Sequence, residues 1–116
     1  MTTINFLFFS GPYQSEAPET LIKLAKAALD KGIGVKIFCY MDAVNTTIKN
    51  QKEVEGIYNI GNGFEEIVAK GAEVKLCTLC ALVRGITNTL IEGPKKSGTP
   101  AIADMIDDSD RFIVIY

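Results

Sequence analysis

The chain has 116 residues, of which 47% are hydrophobic and 22% charged, and its formal net charge is -2. This composition is typical of one globular domain covering residues 1–116 and argues against a disordered chain. The basic pair Lys95-Lys96 is too small a positive field for phosphate binding, so we expect no nucleic-acid partner. No stretch approaches the roughly 20 apolar residues that cross a bilayer, and no basic secretory start is present, so we expect a cytoplasmic protein without a membrane span.

The first part of the chain predicts a strand, a helix and a second strand. An apolar run at residues 4–9 is typical of a buried strand, and the turn Ser10-Gly11-Pro12 follows it. Apolar residues then recur at helical spacing over residues 18–32, with a proline in the first turn and a glycine at the C-terminal cap. Residues 35–40 predict the second strand, so we expect a right-handed βαβ unit.

The middle of the chain has weaker sequence signals for helices and strands. Residues 45–62 form a polar connection that is long for a small domain. Such a connection serves a site, covers a subunit contact or is mobile, and the sequence leaves these three roles open. Residues 64–71 predict a short helix and residues 74–77 a third strand, after which an apolar helical segment begins.

The last part of the chain predicts a helix and a closing strand. Thr99-Pro100 supply an N-cap and a first-turn proline, and residues 111–116 are a β-branched and aromatic run. The alternation of strands and helices predicts a three-layer α/β/α sandwich around a mainly parallel sheet of four or five strands. The buried positions expected on the last helix are Ala101, Ile102, Met105 and Ile106.

Cys77 is the strongest candidate for a reactive residue. It lies at the predicted strand-to-helix turn, where free backbone N–H groups and the helix dipole favour the thiolate. The thiolate is the nucleophilic form of cysteine, so Cys77 is a candidate catalytic nucleophile. The alternative is a small core residue, because free cysteines are among the most buried residue types.

Three segments are predicted to meet near this thiol. In an open parallel sheet, functional groups gather beyond the carboxyl ends of the strands. The segments Ser10-Gly11-Pro12-Tyr13, Tyr40-Met41-Asp42 and Cys77-Thr78 each follow a predicted strand, so we expect them to build one pocket. Its binding residues, predicted from position alone, are Ser10, Gly11, Pro12, Tyr13 and Thr78.

The other cysteines and the absence of histidine restrict the catalytic mechanisms that this chain can use. Cys80 follows Cys77 at a spacing of three and faces back towards it on a helix, as a redox partner or as a buried neighbour. Cys39, inside the second predicted strand, is expected in the core. With no histidine, Cys-His and Ser-His catalysis are excluded, and we expect neither a metal site nor a cofactor. Arg84 is expected to offset the dipole at the end of its helix.

These segments resemble the DsrE/TusD family of sulfur-relay proteins. The matching pieces are Ser10-Gly11-Pro12, Phe38-Cys39-Tyr40, a Cys-x-x-x-Ala-Leu-x-Arg-Gly pattern that starts at Cys77, and Ser97-Gly98. The resemblance covers nearly the whole chain apart from residues 45–62 and 87–96. It implies a DsrEFH-like α/β sandwich that assembles as a homo-trimer or homo-hexamer.

The resemblance also implies a function. Cys77 corresponds to the family's persulfide-forming cysteine, which accepts a sulfane sulfur and passes it to a small carrier protein of the TusA type. Cys80 stands where the bacterial TusD type has alanine, which leaves open a thiol/disulfide oxidoreductase that uses both cysteines. The third hypothesis is that the protein is a non-catalytic subunit of an oligomeric assembly.

Overall fold

The computed structural model describes all 116 residues and contains five strands, four α-helices and one 3₁₀ helix. The first half comprises β1 (Thr3–Phe8), α1 (Ala17–Asp30), β2 (Gly34–Cys39), a 3₁₀ helix (Met41–Thr47) and α2 (Ile60–Ala69). The second half comprises β3 (Glu73–Cys77), α3 (Thr78–Val83), β4 (Lys95–Ser97), α4 (Pro100–Asp107) and β5 (Arg111–Ile115).

All five strands form one parallel sheet in the order β4-β3-β2-β1-β5. The register pairs Phe6 with Ile37 and Ile37 with Val74, so the apolar centres of the three middle strands lie side by side. At the end of β3, Cys77 pairs with Ser97 of β4. The predicted α/β architecture with a parallel sheet is therefore confirmed, and the sheet has five strands.

Helices cover both faces of the sheet. Asn5 is fully buried on β1, and its side-chain amide donates to the Met105 carbonyl of α4 at 2.8 Å. Because alternate strand residues point to opposite faces, Phe6 and Phe8 point away from α4, and both are buried. Right-handed crossovers place α1 and α2 together on that second face, where they pack against each other.

Two predicted details of the helices are corrected by the structure. Helix α2 begins at Ile60, before the predicted start, because the Asn59 side chain caps it by accepting from the Asn62 backbone N–H at 2.9 Å. On α4 only Met105 is fully buried, and Ile106 is 52% exposed. The helix has eight residues and rests on the sheet through one narrow stripe, so Ile106 lies beyond that stripe.

The polar connection at residues 45–62 is folded back onto the body of the protein. The hydroxyls of Thr46 and Thr47 are buried and donate to backbone carbonyls three residues earlier in the chain. The Gln51 amide group donates to the carbonyls of Thr46 and Ile48, and its oxygen accepts from the Gly61 backbone N–H at 2.9 Å. One side chain thus joins the 3₁₀ helix to the first turn of α2.

None of the helices combines the length and the apolar character that a bilayer crossing requires.

Candidate thiol site at the carboxyl edge of the sheet

A cavity of about 570 Å³ lies at the carboxyl ends of β2, β3 and β4. This is the edge at which open parallel sheets place their ligands. Its walls come from the start of the 3₁₀ helix, from α3 and from the turn between β4 and α4. The lining residues are Tyr40, Met41, Cys77, Thr78, Leu79, Cys80, Leu82, Val83, Arg84, Ser97, Gly98, Thr99 and Pro100.

Cys77 ends β3 and caps α3. Its backbone is extended, with φ -66° and ψ 119°, and its sulfur accepts a hydrogen bond from the Cys80 backbone N–H at 3.3 Å. A thiolate at this N-cap is stabilised by that N–H, just as an N-cap oxygen is. The residue is 3% exposed, so another molecule reaches it only through the cavity.

Cys80 lines the same cavity and is 6% exposed. Burial raises the pKa of its thiol, and a hydrogen bond to Cys77 and the charge on that residue raise it further. A hydrogen bond from the Met41 backbone and the charge of Arg84 act in the opposite direction and only partly offset this rise. The raised pKa holds the Cys80 thiol in the protonated form near neutral pH.

One wall of the cavity was absent from the sequence prediction. Strand β4 pairs with β3 at the edge of the sheet and brings Ser97 next to Cys77. The Thr78 hydroxyl donates to the Ser97 carbonyl at 3.1 Å, which fixes the first turn of α3 against this wall. The signal in the sequence was the pair Ser97-Gly98, which matched the family pattern without indicating a strand.

Arg84 and Asp42 form an ion pair beside the cavity. Asp42 Oδ1 accepts from Arg84 Nη2 at 2.7 Å and from Nε at 3.1 Å, and Arg84 Nη1 donates to the Cys80 carbonyl at 3.1 Å. The bond to that carbonyl at the end of α3 agrees with the predicted role of Arg84 at the helix terminus. The ion pair with Asp42 connects the end of α3 to the 3₁₀ helix, where Met41 has a φ of 53° in the left-handed region.

The rim of the cavity carries large apolar side chains that are exposed. Leu79, Leu82 and Val83 on the short helix α3 are 64%, 62% and 70% exposed, and Met41 is 45% exposed. Scattered apolar residues are common on protein surfaces, whereas a contiguous group is typical of an interaction surface. These four residues are called the apolar rim below.

The loop after β1 is not part of this cavity. Ser10 is buried and its hydroxyl lies 3.2 Å from that of Ser15, and Tyr13 lines a separate cavity of about 200 Å³ beside Tyr58. Gly11 lies beside the 3₁₀ helix, since an added Cβ would lie 3.5 Å from the Asp42 Cβ. Of the predicted binding residues, Thr78 lies with Cys77, whereas Ser10, Gly11, Pro12 and Tyr13 line no part of the cavity.

The third cysteine is chemically separate from the pair. Cys39 has no exposed surface, and burial raises the pKa of its thiol to about 12, with a hydrogen bond to Thr46 acting the other way. It is a neutral core residue. No group of three or more Cys, Asp or Glu side chains is placed to hold a metal ion.

The fold and the site together define a parallel α/β protein with two thiols in one cavity at the carboxyl edge of its sheet. The chain belongs to the DsrE/DsrF-like family, whose sequence model matches residues 3–115. Protein YchN of Escherichia coli is 38% identical over 106 residues, which is 89% of this chain and 90% of YchN. The crystal structure of E. coli YchN superposes with a TM-score of 0.91 at 30% identity, covering 98% of this chain and 99% of that one.

A second relative has a name that describes an activity. It is the DsrE protein of Allochromatium vinosum, whose name proposes that it is a sulfurtransferase. It is 31% identical over 80 residues, which is 67% of this chain and 62% of that protein.

Proposed function

We propose that this protein is a sulfur carrier or sulfurtransferase component that holds a persulfide on Cys77 and passes the sulfur to a small carrier protein of the TusA type. Membership of the DsrE/DsrF-like family and the relative named as a sulfurtransferase support a sulfur-related function. The observation that carries the persulfide proposal is the position of Cys77 in the wall of a cavity, where its sulfur accepts a hydrogen bond from the Cys80 backbone N–H.

The chemistry requires only sulfur atoms and a charge-stabilising site. In the loading step the Cys77 thiolate attacks the outer sulfur of a donor persulfide, a new S–S bond forms, and the donor leaves as a thiolate. In the transfer step an acceptor thiolate attacks that outer sulfur, and Cys77 is the leaving thiolate. Stabilisation of negative charge on Cys77 favours its departure, which explains how a protein without histidine performs the step.

Intact-mass measurement tests the loading step. After incubation with glutathione persulfide and removal of the excess, we expect the chain to gain the mass of one sulfur atom. The variant Cys77→Ser is expected to gain none, whereas Cys39→Ser, which removes the fully buried thiol, loads as the wild type does. If all chains remain at their starting mass, the sulfur-relay proposal is wrong and a non-catalytic subunit is the better description.

The same proposal includes a homo-oligomer, a trimer or a hexamer. The apolar rim supports it, because three large side chains that are more than 60% exposed on a six-residue helix are suited to burial against protein. Leu82→Glu is expected to lower the mass measured by sedimentation. Leu24→Glu, an exposed leucine on α1, serves as the matched control and is expected to retain the wild-type mass. A monomeric wild type would contradict the oligomer.

A further inference from the structure

The two thiols of the cavity are placed for a bond between them. Residues three apart on a helix have Cα atoms about 5 Å apart, within the roughly 4.4–6.8 Å that disulfides span. The Cys77 sulfur already points towards residue 80, since it accepts from that residue's backbone N–H at 3.3 Å. No movement of the sheet is needed to join them.

The surroundings of Cys80 distinguish it from a passive core residue. It is nearly as buried as Cys39, yet it lines the cavity together with Cys77, whereas Cys39 does not. The Cys77 sulfur accepts a hydrogen bond from the backbone N–H of Cys80 at 3.3 Å, so the two residues are in direct contact. A sulfur atom added to Cys77 therefore has a second thiol beside it, inside the same space.

We propose that Cys80 is a resolving thiol that discharges the Cys77 persulfide when no acceptor takes the sulfur. This inference rests on the proposed function. Cys80 passes its proton to the outer sulfur of the persulfide, and the Cys80 thiolate so formed attacks the inner sulfur. The bond between the inner and outer sulfur atoms breaks and a Cys77–Cys80 bond forms. The outer sulfur leaves with the pair of electrons and takes up the protons of the persulfide and of Cys80, so one hydrogen sulfide is released per disulfide.

The atoms and electrons of this step are all supplied by one loaded chain. Cys80 is oxidised, the outer sulfur is reduced to the sulfide level, and no further oxidant is used. Reopening the disulfide requires a dithiol reductant, which becomes a disulfide itself. The protein would thus release stored sulfur as sulfide and become unable to load again until it is reduced.

The test follows the fate of the sulfur in the loaded protein with air and thiols excluded. Wild type carrying one added sulfur is expected to convert to a chain two hydrogen atoms lighter than the reduced protein, with release of one sulfide per chain. In Cys80→Ser and Cys80→Ala the added sulfur is expected to persist at least about ten-fold longer. Cys39→Ser is the matched control and is expected to discharge at the wild-type rate.

Peptide mapping locates the bond without any variant. Trypsin cleaves after Lys75 and Arg84, so both cysteines fall on one peptide of residues 76–84. In discharged wild type this peptide is expected to have lost two hydrogen atoms. If the wild type loads but the peptide remains reduced, or if sulfide leaves the Cys80 variants at the wild-type rate, the resolving role is overturned while the persulfide proposal stands. A failure of wild type to load overturns both.

Discussion

Replacing Cys39 with alanine should change how stability depends on alkaline pH. Burial raises the pKa of this thiol from its ordinary value of 9.0 to about 12 in the native state. Between these two values the unfolded chain has lost the proton and the native protein retains it, so stability falls as pH rises. Each pH unit in this window costs about 1.4 kcal/mol, which amounts to about 2 kcal/mol between pH 9 and 10.5.

The measurement is urea unfolding of wild type and Cys39→Ala at several pH values between 7.5 and roughly 10.5, the window in which the unfolded thiol ionises. Protein concentration is held constant and a phosphine reductant is present, since oligomers and disulfides would change the apparent stability. At pH 7.5, Cys39→Ala is expected to be about 1 kcal/mol less stable than wild type, because a buried atom is lost. As the pH rises, this difference in the free energy of unfolding should shrink and then reverse. Only wild type has the Cys39 thiol, whose ionisation in the unfolded chain lowers stability at alkaline pH.

Val44→Ala provides the matched control for this experiment. Val44 is also fully buried, and its truncation removes core volume without removing a titratable group. Its stability curve should therefore run parallel to that of wild type at every pH. If the curve of Cys39→Ala is parallel as well, the thiol ionises equally in both states, and the assignment of Cys39 as a dry core residue is wrong.

Three further outcomes follow from contacts described above. Asn5→Leu should lower the free energy of unfolding by about 2–4 kcal/mol, because the partly buried Lys36 N–H and the buried Met105 carbonyl of α4 lose their partner. If urea unfolding shows that the free energy of unfolding falls by less than about 1 kcal/mol, the hydrogen bonds of Asn5 are not important for stability. Arg84→Gln should change stability by less than about 1 kcal/mol, since its ion pair with Asp42 is partly exposed, and a larger loss would mean that the pair holds the 3₁₀ helix in place. Iodoacetamide should leave Cys39 unmodified in the native protein and modify it in urea, and native labelling of that thiol would refute its complete burial.

The sequence predicted those parts of the fold that depend on local patterns. Apolar runs define β1, β2, β3 and β5, and prolines and glycines define the ends of α1. Strand β4 has no such pattern, because Lys95–Ser97 contains two lysines and a serine. It is a strand because its backbone pairs with that of β3, a contact made at long range in the chain that no local propensity encodes.

The order of the strands explains why the predicted Ser10 loop does not line the cavity that contains Cys77. The carboxyl-edge rule gives the correct edge for the loop after β1, yet it does not say which strands are neighbours. In the sheet β2 separates β1 from β3, so at about 4.8 Å per strand the Ser10 loop starts about 10 Å from Cys77 along the edge. Tyr40 and Met41 follow β2, the immediate neighbour of β3, and they do line the cavity.

Under the proposed function, the cavity would have to meet two requirements of a stored persulfide. The sulfur must be kept from thiols in solution, and Cys77, at 3% exposure, meets that demand. It must also be reachable by one acceptor, and the walls of the cavity decide which acceptors enter. Arg84 is the single charged residue in those walls, and Asp42 already pairs with it, so the entrance offers little net charge to steer a partner. If the proposed function holds, we expect recognition of an acceptor thiol at this site to depend on shape and on apolar contact with the rim. In the proposed resolving role, Cys80 would limit how long the sulfur stays on Cys77.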